Sequence, residues 1–190
     1  MKIDRRLNLV LEIELADGRP AHVHSVPVDA AVCEAHYLFI SMAMTRIYSK
    51  LGANPAAASR VAYYMMRDLI AEDKAFKGAE QSFLQEVWRL TNVSVPGERG
   101  WEVVPFFECM REGNPYLAPE EVREVQNYIC FFTAASWLHP KREREGMYEY
   151  LTEYGAAITS SNCTEFTSSL PTSKPEESTG GKQEALLVPA

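Results

Sequence analysis

Positive charge is scarce in this chain. Lys and Arg number 19 against 26 Asp and Glu, a formal net charge of −7. Nonspecific grip on nucleic acid needs clustered cations, so that class is excluded. The most basic stretch, residues 141–145, mixes both signs and reads as a solvated helix face. Long apolar runs are also missing, and none approaches the roughly 18 residues of a membrane span. The first residues open with charge and then alternate instead of forming a signal-peptide block, so neither membrane insertion nor export is expected. Cysteine is sparse. Cys33, Cys109, Cys130 and Cys163 are scattered without a CxxC pair and are expected as reduced thiols in a cytosol. Neither GxxxxGK[ST] nor GxGxxG occurs, which leaves a phosphate cradle unsupported; no cofactor is expected.

What is present is an apolar fraction of 46%, enough for a core in one domain of a 190-residue chain. Residues 7–15 alternate, with Leu7, Leu9, Leu11, Ile13 and Leu15 on one face, the period of a strand with one buried side. Asp17-Gly18 marks a turn, and residues 21–26 are expected to pair back as a hairpin. Helices are predicted over about 29–50, 55–71, 79–90, 119–139 and 143–158. Their signals are a cap at Asp29, Pro at a first helical position (Pro55, Pro119) and apolar stripes at helical spacing. Residues 92–100 read as a loop broken by Pro96-Gly97, and 101–107 as a short strand or an extended plug. The expected fold is mainly α with an N-terminal β-hairpin (α+β), a bundle of about five helices.

Composition breaks near Thr159. Residues 159–190 are rich in Ser, Thr and Pro, too polar to offset the entropy of ordering by burial. The expected organisation is a folded domain over 1–158 and a flexible tail over 159–190. Within that tail Phe166, Leu170, Leu186, Leu187 and Val188 are apolar anchors in a polar setting, candidates for partner binding. A passive solubilising tail explains the same composition.

Three arrangements in the sequence bear on chemistry. His22 and His24 share one face of a strand and would supply two zinc ligands, but no further pair with ligand spacing completes a set, and exposed strand histidines are the plainer reading. Cys33 and His36 lie one helical turn apart on a helix rich in core residues. No nucleophile elbow frames a serine; an enzyme would need His139, His36 or a cysteine to meet a second catalytic group. No metal site and no catalytic residue is therefore assigned, and the chain is expected not to be an enzyme. Trp88, Trp101, Phe106, Phe107, Phe131, Phe132 and Trp137 are expected in the core more than in a partner groove.

Four stretches together resemble a family of tailed-bacteriophage proteins encoded among tail genes, the tail assembly chaperones. They are the hairpin Leu7-Asn-Leu-Val-Leu-Glu with Ala21-His-Val-His-Ser, the block Arg89-Leu-Thr-Asn-Val, the helix Asn127-Tyr-Ile-Cys-Phe-Phe-Thr-Ala-Ala-Ser, and Thr159-Ser-Ser-Asn-Cys-Thr-Glu-Phe-Thr-Ser-Ser-Leu-Pro-Thr-Ser. The likeness reaches to about Ser173 and carries no diagnostic chemistry. It implies a helper in the host bacterial cytoplasm that holds the tape measure protein and recruits tail-tube subunits. Some such proteins are made in short and frameshifted long forms. The alternative is a structural component of the tail or connector, present in the virion. An exposed hairpin edge and a wide apolar helix would also invite homo-oligomers.

Overall fold

The structure, a computed structural model, describes residues 8–15, 17–52, 55–138 and 156–171. The predicted hairpin is there: β1 (Asn8–Glu14) pairs antiparallel with β2 (Pro20–Ser25), Leu9 opposite Ser25 and Ile13 opposite Ala21. Gly18 turns the corner at φ 80°, a region glycine enters without steric cost. Five strands, not two, make up the sheet. β3 (Thr91–Gly97), β4 (Gly100–Pro105) and β5 (Ala156–Thr159) join the hairpin in the order β4-β3-β2-β1-β5, antiparallel throughout. This corrects the expectation of a helical bundle with a lone hairpin.

The physical reasons are local. Pro96-Gly97 reads as a loop, yet it is the last pair of β3 before a tight turn, and Pro96 sits opposite Trp101 in a pair of which β4 forms the sheet edge. Residues 101–105 are strand, and the chain bends into α6 (Phe106–Cys109) directly afterwards. The predicted last helix does not reach 158, because Ala156–Thr159 pair with β1; the rest of that prediction, with His139, lies outside the described residues. Both hairpin edges are therefore covered, β1 by β5 and β2 by β3, and the sheet edges belong to β4 and β5.

The first helix is divided. Asp29 accepts from Ala31 N at 3.0 Å and caps α1 (Ala30–Ala35), and the chain re-enters helix after His36 as α2 (Tyr37–Leu51). α3 (Pro55–Ser59) and α4 (Ala62–Glu72) replace the single helix expected there. The next predicted helix begins as a wide π turn over Glu80–Leu84 and ends as α5 (Gln85–Arg89). Best matched is α7 (Pro119–Leu138), whose Glu121 carboxylate accepts from Ala118 N at its start. Buried residues run all round it, including Ile129, Cys130, Phe131 and Phe132, because it touches α2, α3, α4, α5 and β1. Asn127, buried on α7, accepts from Tyr63 N at 3.0 Å and donates to Arg123 O at 2.8 Å, so a polar group inside the core satisfies an N–H at the start of α4, where the N-cap residue supplies no side-chain bond.

One continuous core lies between the helices and one face of the sheet. Leu11, Val23, Val93 and Val104 form a cross-strand row on that inner face, all buried. No described helix is long and apolar enough to cross a membrane.

Candidate functional site

The sheet has a second, outer face, and it is not left to water. Glu12, His22, Ser94 and Val103 form one cross-strand row there, and Val10, His24, Asn92 and Pro105 the next. His22 and His24 share this face as the alternation of β2 requires. They are not the exposed strand histidines expected: His24 is 0% and His22 9% exposed. Val10 is buried as well, so β1 is covered on both sides rather than one.

The cover is the segment 160–171, an arm that follows β5 and contains α8 (Cys163–Ser169). Composition placed these residues in a mobile tail, yet α8 carries a full capping box. Asn162 Oδ1 accepts from Glu165 N at 3.0 Å, and Glu165 Oε2 accepts from Asn162 N at 3.1 Å. The signature Asn-x-x-Glu was in the sequence and pointed to this helix start; a composition argument averages over it.

Side chains of four strands hold the arm. Ser161 O accepts from Asn8 Nδ2 (2.9 Å) and from His24 Nε2 (3.0 Å). A carbonyl only accepts, so His24 carries its proton on Nε2. Thr167 Oγ1 donates to Cys163 O at 2.8 Å, which makes Ser94 Oγ the donor in its 2.8 Å bond to Thr167. Trp101 Nε1 donates to Pro171 O at 2.7 Å. Phe166, named above as a partner anchor, is used within the chain: its ring meets His22 at 5.9 Å and His24 at 6.0 Å between centroids. Trp101 closes on His22 at 5.1 Å. Leu170 ends α8 and is half-buried; Leu186, Leu187 and Val188 lie outside the described residues. Each such hydrogen bond contributes about 0.5–1.5 kcal/mol net.

Burial governs the resolved ionisable groups here and in the core. Burial lowers the His22 pKa, opposed by the Glu12 carboxylate 3.9 Å away. Burial also pushes the thiols up, Cys33 to about 11 and Cys109 to about 12, with Cys130 and Cys163 moved the same way. Such thiols remain protonated at neutral pH and are poor nucleophiles. Among the described residues no cluster of three or more His, Cys, Asp or Glu is placed to hold a metal ion.

His36 does meet a serine, Nε2 to Ser82 Oγ at 3.0 Å. Ser82 gives its own proton to Gly78 O at 2.6 Å, so the imidazole is the donor to Ser82, the reverse of what an activated serine needs. An open cleft of about 670 Å³ lies between the hairpin turn and residues 109–123. Several of its charges are already engaged: Arg19 bonds Asp17 and Pro96 O, and Arg111 pairs with Glu108. These contacts fix the turn to the body and leave the cleft without a converging reactive set.

A second feature lies on α2. Its core side carries Phe39, Ile40, Ala43, Met44 and Ile47, all buried. Its other side shows Tyr37 (58% exposed), Leu38 (62%) and Met42 (39%) to solvent. The wide apolar helix expected here, α2, is buried along one side, and Leu38 and Met42 lie on the side away from Phe39, Ala43 and Ile47. No protein-family model, curated protein or solved structure matches this chain.

Proposed function

We propose that this chain is a noncatalytic assembly chaperone of a tailed bacteriophage, working in the host cytoplasm, where it binds the tape measure protein and brings tail-tube subunits to it. The phage role rests on the resemblance of the four stretches quoted above. The observation that carries the binding role is the apolar side of α2, where Tyr37, Leu38 and Met42 stand exposed on a helix whose opposite side already completes the core. Contiguous exposed apolar side chains mark surfaces that meet other chains, and a helix presenting them at i and i+4 offers a ridge for a long helical partner.

The test is co-expression with the neighbouring tape measure and tube proteins, followed by affinity purification. A stable complex is expected, weakened at least tenfold by Leu38→Glu with Met42→Glu, which alter solvent-facing positions. A chain that captures neither protein ends the chaperone reading. Stoichiometric copies in purified virions, found by mass spectrometry, would replace it with the structural role.

A further inference from the structure

The arm and the face beneath it are unequal partners. The face is built for burial: His24 and Ser94 are fully covered, and Asn8 and His22 nearly so. No residue of α8 is itself fully buried. Three of the bonds that hold the arm end on its main-chain carbonyls, those of Ser161 and Pro171. Any polypeptide offering carbonyls at those places would make the same bonds.

The arm also leaves part of the face unserved. Among the described residues, Asn8 Oδ1 and His24 Nδ1 have no hydrogen-bond partner, although both residues are more than nine-tenths buried. Both atoms are acceptors, Nδ1 because the imidazole proton sits on Nε2. Turning the Asn8 amide would not help, since its oxygen would then face the Ser161 carbonyl. A buried acceptor without a donor raises the free energy of the closed face. A segment that brings a donor removes that penalty and outcompetes the arm.

The geometry points to the outer sheet face as a docking surface for a basic segment of another protein, with residues 160–171 as a resident competitor that must leave first. This rests on the reading of the chain as a binding protein and supplies a second place for it to bind. The segment that fits carries an aromatic ring where Phe166 sits, between His22 and His24, and a guanidinium or similar donor beside Asn8 and His24. Charge agrees with that choice: Glu12 ends the His22 row with its side chain 68% exposed, and an acidic rim favours a cationic guest.

The probes are two labelled peptides, residues 159–172 as they stand and the same peptide with Ser161→Arg, the residue whose carbonyl meets both Asn8 and His24, titrated by fluorescence anisotropy into the full chain. Phe166→Ala in the protein loosens the resident arm, so the native-sequence peptide is expected to bind that variant at least tenfold tighter than wild type. The Ser161→Arg peptide is expected to bind several-fold tighter again. Equal binding to both proteins, or to neither, overturns displacement, and equal affinity of the two peptides overturns the basic donor. Should Phe166→Ala fail to fold by circular dichroism, Trp101→Phe deletes the bond to Pro171 and gives a smaller gain of the same sign. In wild type, saturating peptide should speed maleimide labelling of Cys163, the one cysteine that is not buried; an unchanged rate counts against the proposal. Failure to capture tape measure protein would leave these results untouched, and a tape measure complex without peptide binding would remove only this surface.

Discussion

The two faces of the sheet solve burial in opposite ways. On the inner face, valine, leucine and isoleucine meet helices and need no partner beyond close packing. On the outer face, histidine, asparagine and serine are buried just as deeply, and each polar atom has to be matched or paid for. The inner face is matched by side chains from α7 and its neighbours, far apart in sequence. The outer face is matched by one short segment, largely through its backbone. A face closed by a few hydrogen bonds and one ring is therefore expected to open before a face closed by packing.

Removing one large side chain from each side separates the two cases most sharply. Phe131→Ala opens a cavity at a fully buried site, and a loss of about 3–5 kcal/mol is expected in urea or thermal unfolding. Because α7 touches most of the helices and β1, the transition should move as a whole and keep one midpoint by fluorescence and circular dichroism. A loss under about 1 kcal/mol would mean that the centre of α7 is loosely packed.

Phe166→Ala is the counterpart on the outer side. Phe166 is half-buried, so less apolar area returns to water and the arm can move aside without leaving a cavity. The expected cost is about 1–2 kcal/mol. Trp101 emission should shift to the red, since the arm covers that indole and accepts its N–H at Pro171. A penalty equal to that of Phe131→Ala would show the arm to be an integral layer, and the contrast between the faces would fail.

The same contrast explains what could be read in the sequence. The hairpin and α7 were legible because each has an unbroken period and clear end signals, Asp17-Gly18 for one and Pro119-Glu120-Glu121 for the other. β3 was hidden by Pro96-Gly97, since a rule that assigns Pro and Gly to loops ignores that such a pair can end a strand beside an edge. β5 has only four residues, and its identity comes from β1 rather than from any local pattern. The division at His36 has no breaker residue to announce it. As for the outer face, His22-Val-His24 correctly indicated two rings on one side. What lay over them depends on a contact between residues about 140 apart, and no local signal encodes that.

The smallest expected effect is a dependence on pH, to which the outer face contributes through His22 and the helical side through His36, which packs on Phe83. His22 is held below its ordinary pKa of 6.5 by burial, with Glu12 opposing, and burial lowers His36 as well. The unfolded chain then takes up protons that the folded chain refuses, so stability rises with pH across this window. The contribution is complete above about pH 6.5 and is lost as pH falls through the lowered folded values. The lowered carboxylates Asp17 and Glu86 titrate well below that range and do not confuse it. Urea midpoints measured at pH 7.5 and 5.5 should fall on acidification. His22→Gln should flatten the slope, leaving the share of His36. A midpoint that rises toward pH 5.5, or a slope untouched by His22→Gln, would mean that the imidazole under the arm is as well solvated folded as unfolded. The outer face would then be open in solution without any competitor to displace.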